Sequence, residues 1–138
     1  MRSKGRNNKL PPFVPLTWSA LNHKAYKELP PSSAKALPYF LGKVKCGYND
    51  PEKYTTNFSF SYPEAQNLGF AFGTFADVIK NLVSFGFIDP VAKGGLRGKG
   101  RGYNLFSLSR RWEQYGTSEF QSVSWVQFCG KHKRNSKN

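Results

Sequence analysis

The chain has 138 residues, which suits one core of ordinary domain size and is too short for two. Twenty-one Lys and Arg against eight Asp and Glu give a net charge of +13, a field that draws polyanions and disfavours acid-free or cationic partners. With 38% apolar and 16% aromatic residues, disorder throughout is excluded.

The expected domain plan is a basic flexible arm over 1–11, a folded domain over 12–120 and an apolar-then-basic tail over 121–138. The arm carries Arg2, Lys4, Arg6 and Lys9 without an acid, and Pro11, Pro12 and Pro15 bracket an extended piece ending at Leu16. Leu21, Ala25 and Leu29 recur at helical spacing, predicting a first helix over 17–29 that Pro30-Pro31 stops. A second helix is expected to start near Ser33, capped by Ser32 or Ser33. Its stripe would be Ala34, Leu37, Leu41 and Val44, with a kink at Pro38. Residues 47–56 have loop chemistry, and Asn57 to Phe60 predict a short strand with Phe58 and Phe60 on one face.

Ser61-Tyr62-Pro63-Glu64 is the most explicit local signal: Ser61 as cap, Pro63 in the first turn and Glu64 completing a capping box. Leu68-Gly69 ends this helix early. A new periodic run (Phe72, Phe75, Ile79, Leu82) follows until Gly86. Two helices joined by a tight turn with glycine form a helix-turn-helix. Two predicted strands come next, Phe87–Ala92 and Tyr103–Leu108, the latter with Asn104, Phe106 and Leu108 on one side. Between them lies the acid-free run KGGLRGKGRG. A hairpin with a basic tip directly after a helix-turn-helix is a wing, so the expected fold class is α+β, a winged helix-turn-helix with flexible basic termini.

The order of several segments resembles a family of small bacterial winged-helix proteins often carried by phages, plasmids and integrated elements. They are Phe13-Val14-Pro15-Leu16, Ala25–Leu29, Ser59–Ala65, Leu82–Ile88 and Ser109–Thr117, and the resemblance spans about residues 12–120. It implies DNA binding in transcription or replication control. Such families often place Ser at the cap of the recognition helix and a basic residue one turn in, where this chain has Ala71 and Asp77. That departure moves the expected weight of binding from the helix to the wing.

The chemistry read from the residues points the same way. On the recognition helix Gly73, Asp77, Lys80, Asn81 and Ser84 share a face with Thr74 beside them. Thr74 and Asn81 could reach bases or phosphates, and Lys80 the backbone. In the wing Arg97, Lys99 and Arg101 alternate with glycines that let the backbone approach phosphates, and Lys93 stands at its entry. Arg2 and Arg6 in the arm could track the backbone, as could the cations of KHKRNSK at the other end. Arg110 and Arg111 open a last helical turn, with ion pairing to Glu113 as the alternative. Trp18, Tyr26, Tyr39, Phe40, Phe58, Phe60, Phe75, Trp112 and Tyr115 fall at core-like spacings.

Duplex DNA is the favoured partner, with RNA as an alternative. The other alternative, from a different class, is a protein partner: an adaptor that uses the winged-helix scaffold to dock on an enzyme or ribonucleoprotein, or self-association, through Trp125 and Phe128. Ala71 and Asp77 also favour docking, and the two tail residues otherwise cover the domain's edge. No cofactor and no metal are expected, because Cys46, Cys129, His23 and His132 lack ligand spacing; reduced thiols are preferred over a Cys46–Cys129 disulfide. No enzyme site is expected. Around Gly98-Lys99 a phosphate loop would need Gly where Lys93 stands and Ser or Thr where Gly100 stands. No apolar stretch approaches the roughly 18 residues of a membrane span, and MRSKGRNNK has no apolar run behind it, so a cytoplasmic, nucleoid-associated protein is expected.

Overall fold

The computed structural model describes residues 12–45, 50–94 and 104–128. The arm with Arg2 and Arg6, the wing tip with Arg97, Lys99 and Arg101, both cysteines and the basic end of the tail lie outside the described residues.

The fold is α+β. Helices α1 (Trp18–Leu21), α2 (Lys24–Glu28) and α3 (Pro31–Leu41) lead through a 3-10 turn (Pro51–Tyr54) to strand β1 (Phe58–Ser59). Helices α4 (Tyr62–Asn67) and α5 (Phe72–Ser84) follow, then strands β2 (Ile88–Ala92) and β3 (Leu105–Leu108) and a second 3-10 turn (Arg111–Gln114). The antiparallel sheet has the order β1-β3-β2.

The expected first helix is two. Asn22 ends α1, and His23 starts α2 by accepting the Ala25 N–H on Nδ1 at 3.0 Å. Its Nε2 is thereby left as the N–H, which donates to the Glu113 carbonyl at 3.2 Å. The restart is set by this local cap and tied to the other end of the chain, neither of which periodicity reveals. The second helix begins earlier than expected: Pro31 occupies its first turn, where the missing N–H costs nothing, and neither Ser32 nor Ser33 caps it. Its buried stripe is Ser33, Ala36, Leu37 and Phe40 in place of the expected Ala34, Leu37 and Leu41, and it runs through Pro38. Within the expected loop, Asp50 caps the 3-10 turn by accepting the Glu52 N–H.

The capping box at Ser61 forms as expected. Ser61 Oγ accepts the Glu64 N–H, and Glu64 Oε1 accepts the Ser61 N–H at 2.8 Å. Gly69 and Gly86 then end their helices in the same way. At each the glycine has φ near +90 to +100°, and the next residue, Phe70 or Phe87, donates five residues back, to Ala65 or Leu82. This double hydrogen-bonded stop needs the left-handed conformation that glycine adopts without strain.

Five phenylalanines, four from α3, β1, α5 and β3 and Phe60 from the link after β1, make the centre of the core. The Phe40 ring of α3 lies 4.6 Å from Phe60, 5.9 Å from Phe75 of α5, 6.0 Å from Phe106 of β3 and 6.2 Å from Phe58 of β1. Aromatic pairs at such separations add to the apolar burial that dominates stability. Phe58 and Phe60 are both buried, as the alternation predicts. Tyr26, Trp112 and Tyr115 are half-buried against the core, and two expected core aromatics are exposed, Trp18 by 78% and Tyr39 by 43%, because α1 and α3 turn those positions outward. Ser33 places a hydroxyl in the core with no hydrogen-bond partner among the described residues.

Candidate nucleic-acid interface

The α4–α5 pair and the β2–β3 hairpin are the parts on which binding was expected. Leu68 closes α4, Gly69 turns the chain, and α5 starts at Phe72 after an N-cap, Ala71, that offers no side-chain bond. Buried Phe75, Val78, Ile79, Leu82 and Val83 seat α5 on the core. The opposite face presents Gly73, Asp77, Lys80 and Ser84 to solvent, with Thr74 and Asn81 half-buried at its margins. The expected face is therefore brought together. Its charge is neutral, however: Lys80 Nζ sits 3.6 Å from Asp77, and Ser84 Oγ donates back to the Lys80 carbonyl.

Phe72, expected in the buried stripe, is instead 61% exposed. It lies in the first turn, where its ring neighbour is Tyr62 of α4 at 4.4 Å. Burial of α5 begins one turn later, at Phe75.

The hairpin is built on an edge strand. Pro90 has no N–H for the ladder and sits beside a register shift between Pro90 and Ala92, on β2 at the sheet's margin. The Gly94 N–H donates to Asn104 Oδ1 at 2.8 Å and closes the base of the hairpin. Lys93 is turned to the tail: its ammonium stands 4.6 Å over the Trp125 ring and donates to the Val126 carbonyl at 3.4 Å. Trp125 in turn lies on Phe106 at 5.4 Å and stacks on Phe128 at 6.3 Å. The tail thus covers the sheet, one of the roles expected for it.

The two adjacent arginines part company. Arg110 pairs with Glu113 through Nε and Nη2 on the surface, as the alternative reading expected, which holds its guanidinium pKa above the ordinary value. Arg111 is 12% exposed. Its Nε donates to Asp89 at 2.6 Å, its Nη2 to the Val83 and Ile88 carbonyls and its Nη1 to the Gln121 carbonyl. It ties the end of α5, strand β2 and the tail, a role the sequence does not announce because its partners are distant or are backbone carbonyls.

Charge across the described residues is balanced. They hold all eight acids and ten of the 21 cations. Five cations are paired: Lys24–Glu28, Lys43–Glu64, Lys80–Asp77, Arg110–Glu113 and Arg111–Asp89. Lys43 donating to Glu64 keeps that carboxylic acid's pKa below its ordinary value, and Lys24 and Tyr115 do the same for Glu28. The other eleven cations, with no acid among them, fall in 1–11, 95–103 and 129–138.

Among the described residues no group of His, Cys, Asp and Glu could hold a metal ion, and no helix is long and apolar enough to cross a membrane. No protein family, curated protein or solved structure matches the chain.

Proposed function

We propose that the protein is a non-enzymatic winged-helix protein that binds duplex DNA mainly through its phosphates. The observation that carries the reading is the separation of charge: a balanced folded body, and eleven cations without an acid in three segments, one spanning the β2–β3 hairpin. Solubility alone would be served by mixed charge. The winged-helix half of the proposal is supported by the order α3-β1-α4-α5-β2-β3 and the strand order β1-β3-β2. In it a helix pair with a glycine turn precedes a hairpin.

In this reading α5 lies in the major groove, and Arg97, Lys99 and Arg101 grip adjacent phosphates or the minor groove. Arg2 and Arg6 follow the backbone. Thr74 and Asn81 stand at the margins of the face, and Lys80 is shared with Asp77, so affinity comes from the tip and tails. Control of transcription or replication in a mobile genetic element, and a place at the nucleoid, rest on the resemblance over residues 12–120.

Duplex binding followed across a salt series tests the proposal. Replacing Arg97, Lys99 and Arg101 together with Ala should weaken binding about 100-fold at physiological salt and flatten the log–log salt slope by about 3. The thermal midpoint should not move. Absent or salt-insensitive binding would defeat the reading, and preferential displacement by structured RNA would transfer it to RNA.

A further inference from the structure

Resting on the DNA-binding reading, we propose that the first turn of α5 recognises thymine by apolar contact with its C5-methyl group, with Phe72 as the contacting side chain. Residues 71–79 read AFGTFADVI. They contain no Arg, Lys, Asn or Gln, the side chains that pair bidentately with guanine or adenine edges. Ala71, Phe72 and Gly73 are exposed there, and Thr74 is half-exposed. A helix of a helix-turn-helix meets base edges with its N-terminal residues, and apart from the half-exposed Thr74, whose methyl is itself apolar, what this turn offers to an edge is apolar surface. In the major groove the thymine methyl is the base feature that such surface fits.

The ring is also held in place. Tyr62 packs against Phe72 at 4.4 Å, tilted by 32° between planes. Tyr62 stands edge-on to Phe75 at 5.3 Å, and Phe75 is fully buried. An exposed aromatic braced through a second ring to the core loses little freedom when it binds. Around Gly73 a Cβ would meet nothing within 4 Å, so among the described residues no group crowds the turn at that position. The acid-free run 95–103, set in the sequence between β2 and β3 soon after α5, is complementary to a polyanion, which favours duplex DNA as the occupant of this apolar turn over another protein surface.

The test uses the full chain and two A·T-rich duplexes of one sequence, synthesised with thymine or with deoxyuridine, which lacks only the methyl. The wild-type protein should bind the thymine duplex about fourfold more tightly for each methyl it covers. F72A should bind both duplexes alike, and F72L should keep part of the preference. Equal binding of both duplexes by the wild type, with its salt dependence intact, overturns the inference and leaves the DNA-binding reading standing. A preference that survives in F72A also overturns it, since the discrimination would then come from duplex shape. If neither duplex is bound, the DNA-binding reading falls and this inference with it.

Discussion

The folded body and the basic segments place the same residue types in different company. In the body, cations are structural: Arg111 joins three pieces of chain, Lys43 holds Glu64 and Lys93 pins Trp125. In 1–11, 95–103 and 129–138 eleven cations stand in sequence without an acid. The difference teaches that net charge alone does not locate a binding surface; the distribution of acids does.

The comparison can be broken first at the stops of the body. A Cβ at Gly86 would lie 2.6 Å from the Trp112 backbone N at φ +90°, whereas at Gly69 it would meet open space. G86A is expected to cost about 4 kcal/mol of stability and G69A about 1 kcal/mol, both read from denaturant midpoints. A G86A protein as stable as wild type would show that the junction with Trp112 yields.

These two glycines also show which features the sequence makes legible. The Ser61 capping box, both stops and the Phe58/Phe60 alternation are local chemistry, written within a few residues of where they act, and they appear as expected. The break at His23 and the helix start at Pro31 are local as well, a side-chain cap and a first-turn proline that apolar periodicity does not read, whereas the exposure of Phe72 and the embedding of Arg111 depend on what lies across the fold. Periodicity places Phe72 on the buried stripe because it reads angle around the helix but not how far along the helix its cover extends. The α5 face was legible residue by residue. Its neutrality was not, since that needs the Asp77–Lys80 contact. The tip cations Arg97, Lys99 and Arg101 rest on sequence alone.

The next effect separates neighbouring arginines. R111M should destabilise by about 3 kcal/mol, because it strands Asp89 and leaves three carbonyls without their donor. R110A should cost under about 1 kcal/mol, its ion pair with Glu113 being exposed. Equal losses would refute the division between structural and surface cations. Smaller still, S33A removes a buried hydroxyl without a partner among the described residues and should raise stability by up to about 1 kcal/mol. A clear loss in thermal midpoint would mean that Ser33 has a partner.

The smallest expected effect is on acid sensitivity. Glu64 has its folded-state pKa below the ordinary 4.5, chiefly because Lys43 donates to it. Its contribution is therefore complete above that value and is lost as pH falls through the lowered one. With the carboxylate half exposed, this contribution is on the order of a few tenths of a kcal/mol. E64Q should flatten the dependence of the midpoint on pH in that window while leaving the neutral-pH value nearly unchanged, and an unaltered pH profile would remove the Lys43 pair from the account.

The bond from Gly94 to Asn104 completes the hairpin before residue 95 begins. Loop closure costs only about 0.6 kcal/mol for each doubling of length, so the segment 95–103 can be lengthened, shortened or exchanged while the body keeps its stability. Under the proposed DNA-binding reading the grip is in that sense an interchangeable part, set on a base that the Gly94–Asn104 bond closes, and it could be changed without redesigning the domain that carries it.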